Sequence, residues 1–155
     1  MYTHFFQLGT TTKLSFTELV SVLDKQLLTQ VTEQIVGFTA TDDIDVQKLQ
    51  DRLGGCVKIL ENLCTLATAS PQDIAKGIAD HNSDTRVNFA FGEFNSPTEE
   101  RTDVVAIKKE LLQLGKSARF IEGNRTGVSA AVLLHQRKVQ EYIVINTPEH
   151  SYLAH

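Results

Sequence analysis

The chain has 155 residues, of which 22% are charged and 41% hydrophobic, and its formal net charge is −4. This composition excludes a disordered chain, and no apolar run approaches the ~20 residues that a membrane span needs. Two cysteines, Cys56 and Cys64, are too few for a disulfide scaffold, and their spacing does not match a metal clip. The first residues lack a basic region followed by a long apolar one, so we expect no secretory signal and a cytoplasmic protein.

The first 67 residues predict the order strand, helix, strand, strand, helix, strand. Strands are expected at residues 2–8, 28–40 (a pair) and 56–67, because these stretches are rich in aromatic and β-branched residues. Ser15 and Glu18 have the spacing of a capping box at the start of the first helix. This order is the ferredoxin-like one, an antiparallel four-stranded sheet with two helices on one face, and it says nothing about function.

A second subdomain is predicted from Ser70 onward. Ser70 and Pro71 combine a helix N-cap with proline at the first helical position. A strand at residues 86–94, a helix at 104–114 ended by Gly115, a strand at 118–122 and a hairpin at 141–153 follow. Residues 128–139 fit a helix or a strand, and the helical spacing of Val132, His135 and Val139 favours the helix. The sequence therefore predicts an α+β fold with two packed subdomains, residues 1–69 and 70–155.

One segment of the second half is strongly basic. Between residues 104 and 140, seven basic side chains face two acidic ones, a local charge of +5 in a chain of net −4. A basic surface on an acidic protein predicts an anionic partner that docks on one face. The alternative, that these side chains form only a solvated face, stays open. The seven residues are Lys108, Lys109, Lys116, Arg119, Arg125, Arg137 and Lys138.

The loop at residues 123–127 is a second candidate for anion binding. Its backbone N–H groups and Arg125 could hold a phosphate, although an ordinary glycine turn between two elements is the more common meaning of such a loop.

The sequence contains no persuasive catalytic constellation. It has no G-x-S-x-G elbow, no P-loop and no glycine-rich cofactor loop after the first strand. We therefore expect no catalysis, no metal site and no bound cofactor in this chain alone.

Four short segments occur in one order along nearly the whole chain. They are Leu8-Gly9 followed by Leu14-Ser15-x-x-Glu18-Leu19; Asp51-x-Leu53-Gly54-Gly55-x-x-Lys58-Ile59; Gly115-Lys116-Ser117-Ala118-Arg119-Phe120; and Ser129-Ala130-Ala131-Val132. In these segments the chain resembles the N-terminal half of the tRNA guanosine methyltransferases of archaea, eukaryotes and some bacteria. In that family a ferredoxin-like domain and a THUMP domain precede a Rossmann methyltransferase domain.

The resemblance implies a role for each part of the chain. Residues 1–69 would be the ferredoxin-like domain, and residues 70–155 a THUMP-like RNA-binding domain that helps to hold the tRNA acceptor end. The chain ends within a predicted strand, so we expect it to be truncated before the methyltransferase domain, where S-adenosylmethionine would bind. The implied partners are tRNA and that missing domain, with no DNA and no membrane expected. Because the net charge is negative, RNA binding should be weak and salt-sensitive.

Two alternatives of other classes remain. The chain could be a regulatory ferredoxin-like domain that binds a small molecule and no RNA, which an apolar pocket would favour. It could also be a protein-interaction scaffold, which a large exposed apolar patch would favour.

Overall fold

The computed structural model describes residues 1–124, 126–129 and 138–155. These residues form helices and strands of an α+β fold, as the sequence predicts. By its contacts the chain divides into two compact units, Met1–Asn62 (unit 1) and Leu63–His155 (unit 2). The division lies inside a strand, whereas the sequence places a domain boundary after residue 69. No helix in the described ranges is long and apolar enough to cross a membrane.

Unit 1 has the ferredoxin-like arrangement. Its elements are β1 (His4–Leu8), α1 (Thr12–Val22), a 3₁₀ turn (Lys25–Leu27), β2 (Leu28–Gln30), β3 (Ile35–Phe38), α2 (Val46–Arg52) and the first part of β4 (Cys56–Leu66). The strands pair antiparallel in the spatial order β2-β3-β1-β4. Leu19 of α1 and Leu49 of α2 pack with Phe6 and Phe38 of the sheet, so both helices cover one face.

The start of α1 differs from the capping box that the sequence predicts. Thr11 is the N-cap and makes no side-chain cap, while Ser15 lies within the helix and donates its hydroxyl to the Thr11 carbonyl at 3.1 Å. Glu18 instead accepts hydrogen bonds from the backbone N–H groups of Gly54 and Gly55, at 2.7 and 2.8 Å. The prediction was wrong because two long-range donors at the turn before β4 take the carboxylate.

Unit 2 contains a mixed sheet and two helices. Its elements are the last residues of β4, then α3 (Pro71–His81), β5 (Arg86–Phe94), α4 (Val104–Gln113), β6 (Ser117–Phe120), β7 (Val139–Asn146) and β8 (Ser151–Ala154). The strands lie in the order β8-β7-β5-β6, with β5 parallel to both β6 and β7, and β7 antiparallel to β8. The ambiguous stretch at 128–139 falls mostly on residues 130–137, which lie outside the described residues.

The ends of the unit 2 helices follow the sequence closely. The Ser70 hydroxyl accepts a hydrogen bond from the Asp73 N–H at 3.2 Å and caps α3 as predicted. Gly115 has φ +82° and ends α4 in the left-handed conformation. Leu114 was predicted to be the last residue of this helix, but it is the C-cap residue and is 50% exposed.

Both unit 2 helices pack on one face of the sheet. Ile74 and Ile78 of α3 and Ile107 and Leu111 of α4 are fully buried in one cluster with Phe89. We call this side, which carries Val87, Phe89, Ala118 and Phe120, the helix face. Side chains alternate along a strand, so the opposite side, the far face, carries Arg86, Asn88, Ser117, Arg119 and Val139.

Candidate nucleic-acid interface

The two lysines of α4 lie on the helix side of the sheet. Ile107 and Leu111 turn into the core, so Lys108 and Lys109 lie toward the outer side of the helix. Lys109 is exposed and Lys108 is half-buried. Any ligand that they contact would approach unit 2 from the side on which α4 packs.

Arg119 lies on the far face. It is exposed and stands on β6 between Ala118 and Phe120, both of which pack against the core. Its register partner on β5 is Asn88, and Asn88 in turn pairs with Val139 on β7. Lys138, also exposed, directly precedes Val139. The strands β6 and β7 flank β5, about 10 Å apart, so Arg119 and Lys138 lie near each other where the parallel strands begin.

Arg86 joins this group, although sequence reasoning did not select it. It is the exposed first residue of β5 and pairs with Ser117, two residues before Arg119. The sequence did contain a signal: Arg86 is a basic residue at the first position of a strand whose helix face is apolar. Among the described residues, no carboxylate lies within ion-pair distance of Arg86, Arg119 or Lys138. Their charges are therefore available to an anionic ligand.

Lys116 has a different environment. Its ammonium group donates hydrogen bonds to the backbone carbonyl oxygens of Asn82 and Asp84, at 2.5 and 2.7 Å. The buried Asn82 side chain also donates to the Tyr142 hydroxyl at 3.2 Å, and that hydroxyl donates to Gln140 at 2.8 Å. Burial is the main reason why the pKa of Tyr142 is raised. Lys116 thus holds the loop between α3 and β5 in place.

The loop at residues 123–127 is closed by hydrogen bonds between its own residues. Asn124 and Gly127 exchange backbone hydrogen bonds of 2.9 and 3.1 Å, and the Thr126 N–H donates to the Asn124 side chain. The Val128 N–H donates to the buried Glu141 carboxylate at 2.7 Å. These four N–H groups are engaged within the protein, which is the behaviour of an ordinary turn. Arg125 and Arg137, the last two predicted site residues, lie outside the described residues.

A cavity of about 770 Å³ opens where β5 and β7 begin. Two of the cations above, Arg86 and Lys138, line it, together with Asp84 and Asn88. Asn88 Oδ1 is buried and has no hydrogen-bond partner. The cavity therefore combines positive charge with hydrogen-bond acceptors at the end of the sheet where the unpaired cations lie.

Neither metal nor thiol chemistry is evident in the described part of the chain. No group of three or more histidine, cysteine, aspartate or glutamate side chains in the described ranges could hold a metal ion. Cys56 is buried, its thiol donates to the Lys58 carbonyl at 3.2 Å, and burial raises its pKa to about 12. Burial also raises the pKa of Cys64. Both thiols are therefore protonated near neutral pH and react slowly.

Comparison with known proteins identifies a fold relative. No known family and no curated protein matches the sequence. The crystal structure of a predicted N6-adenine-specific DNA methylase from Listeria monocytogenes str. 4b F2365 is similar over 99% of this chain, with a TM-score of 0.50 and 10% sequence identity. This chain spans 39% of that protein's length. At such low identity the similarity shows the fold alone: the chain is built like part of a protein named as a methylase.

Proposed function

We propose that this chain is the tRNA-binding part of a tRNA methyltransferase and that it positions the acceptor end of the tRNA. The observation that carries the proposal is the group of unpaired cations at the end of the unit 2 sheet where β5 and β7 begin: Arg86 and Arg119 on the far face, and Lys138, which lines the same cavity as Arg86. Two further facts support it. The four sequence segments resemble tRNA guanosine methyltransferases, and the chain shares its fold with 39% of a protein named as a methylase.

The physical basis is the neutralisation of phosphates. Each arginine or lysine that contacts a phosphate releases condensed counterions, which favours binding and makes it salt-dependent. Such contacts fix the position of the nucleic acid but carry no sequence information. Selectivity for tRNA would come from the shape of the acceptor stem and its unpaired end. The chain is acidic overall, with net charge −4, so binding to this part alone is weak.

The proposal assigns the chemistry to a different part of the protein. S-adenosylmethionine, the expected methyl donor, would bind in the methyltransferase domain that the resemblance implies, and this chain would take no chemical step. We also propose that the protein acts in the cytoplasm.

The choice between RNA and DNA can be tested directly, since the fold relative is named as a DNA methylase. Labelled tRNA and a DNA duplex of the same charge are titrated with the full chain at about 50 and about 200 mM salt, a range over which phosphate contacts weaken strongly. We expect tRNA to bind more tightly than the duplex at both salt concentrations. Equal or tighter binding of the duplex would show that the partner is DNA.

A small-molecule regulatory domain is the second candidate, and one cavity favours it. Unit 1 has a cavity of about 460 Å³ lined by Leu23, Ile44 and Leu49 and by charged residues of α2 and its start. A volume of this size suits a small ligand. Failure of both nucleic acids to bind, together with a small molecule that raises the melting temperature of unit 1, would favour this alternative.

A further inference from the structure

The cavity at the start of β5 and β7 is lined by both basic side chains and hydrogen-bond acceptors. Its lining residues are Asp84, Thr85, Arg86, Asn88, Lys138, Val139 and Gln140. Arg86 and Lys138 supply positive charge, while Asp84 and Asn88 supply acceptor oxygens. Acceptor oxygens repel the ionised oxygens of a phosphate, but they suit a ligand that has both an anionic group and several hydrogen-bond donors.

One of these acceptors is unsatisfied. Asn88 Oδ1 is buried at the cavity wall without a hydrogen-bond partner. Buried polar groups in folded proteins almost always have a hydrogen-bond partner, and a group without one destabilises the folded state. A ligand that donates a hydrogen bond to this oxygen would remove that destabilisation.

The part of the lining that carries Asp84 is held in place by hydrogen bonds. Asp84 belongs to the loop whose carbonyl oxygens accept hydrogen bonds from Lys116. The Asp84 N–H also donates to the Asn82 side chain at 2.9 Å, and Asn82 donates to Tyr142. Since four hydrogen bonds fix this loop, the wall that carries Asp84 and Arg86 is ordered before any ligand arrives, which lowers the cost of binding.

We propose that this cavity binds one nucleotide of the nucleic-acid strand, with Arg86 and Lys138 on its phosphate and Asn88 and Asp84 accepting from donors of its base or ribose. The proposal rests on the proposed function and adds a defined site to it. Arg86 becomes a binding residue, and Lys116 becomes a positioning residue that acts through the loop rather than through its charge. The volume of about 770 Å³ lies within the usual range for small-ligand sites.

The test uses AMP as the probe, titrated into the ¹⁵N-labelled full chain and followed by the backbone amide shifts of Arg86, Asn88 and Val139. Adenosine and inorganic phosphate are titrated separately. We expect AMP to shift the resonances of these amides. AMP should bind at least ~10-fold more tightly than adenosine or inorganic phosphate alone, because the phosphate contacts and the base or ribose contacts form in the same complex. If inorganic phosphate binds as tightly as AMP, the cavity recognises only an anion, and the proposal is wrong.

Three variants assign the contacts. Arg86→Gln should weaken AMP at least ~10-fold, since a charge-assisted hydrogen bond to phosphate is lost. Asn88→Ala should weaken AMP but leave inorganic phosphate unchanged. Lys13→Gln, which removes an exposed cation of unit 1 away from both cavities, is the control and should bind AMP normally. Unchanged AMP binding in Arg86→Gln, with a native urea midpoint, contradicts the assignment.

The outcome separates this proposal from the proposed function. If tRNA binding falls in Arg119→Glu/Lys138→Glu but not in Arg86→Gln, the cavity assignment alone is wrong. If tRNA does not bind to the unaltered chain, the proposed function is wrong, and a nucleic-acid strand is not the ligand of the cavity.

Discussion

Asn88 on β5 and Arg119 on β6 are register partners in parallel strands, and their side chains share the far face of the unit 2 sheet. The connection between these strands is α4, which packs on the helix face through Ile107 and Leu111. The basic segment of the sequence is therefore divided between two sides of the sheet. Lys108 and Lys109 lie on the side on which α4 packs, and Arg119 lies on the far face.

Lys116 should affect tRNA binding through the loop that it holds and not through a phosphate contact. Lys116→Met removes two hydrogen bonds to the carbonyl oxygens of Asn82 and Asp84. We expect the free energy of unfolding to fall by roughly 1–3 kcal/mol, because hydrogen bonds from a charged group are lost. The slope of log affinity against log salt should not change.

In Lys138→Met, by contrast, that slope should fall by about 0.7–0.9 with little effect on stability. A reduced slope in Lys116→Met would show that Lys116 contacts phosphate.

Gly55 should tolerate no side chain, whereas its neighbour Gly54 should. A Cβ at Gly55 would lie 2.7 Å from Ser15 Oγ and 2.8 Å from Glu18 Oε2, but at Gly54 the nearest atom is 3.8 Å away. We expect Gly55→Ala to destabilise unit 1 by roughly 1–3 kcal/mol through overpacking. Gly54→Ala should be neutral or slightly stabilising. Urea unfolding of both variants measures the difference, and equal midpoints would refute the close approach.

Glu18 should be needed to hold the turn before β4. Glu18→Gln replaces one of the two acceptor oxygens by an amide group that cannot accept from Gly54 or Gly55. The expected loss of unfolding free energy is roughly 1–3 kcal/mol, the range for hydrogen bonds to a charged acceptor. Glu33→Gln, at an exposed position in the β2–β3 turn, is the control and should be neutral. If both variants unfold at the same urea concentration, the Glu18 contact contributes nothing to stability.

Cys56 should make unfolding pH-dependent in the alkaline range. The pKa of its thiol is about 12 in the folded protein against 9.0 as the ordinary value, so the folded state binds the proton more tightly. The resulting stability is complete below pH 9.0 and is lost as the pH rises toward about 12. The stability difference between the unaltered protein and Cys56→Ala should therefore shrink as the pH rises from about 9 to about 11. A difference that stays constant over this range would contradict a raised pKa.

Local signals in the sequence were sufficient for most of the helices and strands in the described ranges. Ser70-Pro71 begins α3 and Gly115 ends α4, because helix caps depend on residues next to each other in the chain. The alternation of residues 86–94 likewise matches the bounds of β5. The six-element order of the first half gave the ferredoxin-like sheet, since few topologies suit that order.

Contacts between distant residues were not predictable in the same way. Glu18 has the spacing of a capping box, but its partners are 36 and 37 residues away. Lys116 looked like a surface cation, yet its partners are carbonyl oxygens, which any residue can offer. Arg86 lies 33 residues from Arg119, so only the register of β5 and β6 reveals that they share a face. The roles of the seven basic residues in RNA binding stay a prediction.

The most direct test of the account compares the two sides of the unit 2 sheet. Arg86→Glu/Arg119→Glu and Lys108→Glu/Lys109→Glu make the same change in charge, one on the far face and one on α4. Binding of labelled tRNA is measured for both at two salt concentrations, with stability checked by urea unfolding.

We predict that the far-face pair lowers affinity at least ~10-fold and reduces the salt slope by about 1.4–1.8, the effect of two lost phosphate contacts. The α4 pair should bind within about 3-fold of the unaltered protein, since screened charges away from the contact contribute little. Equal losses in both pairs, or a larger loss in the α4 pair, would contradict the far face as the docking surface.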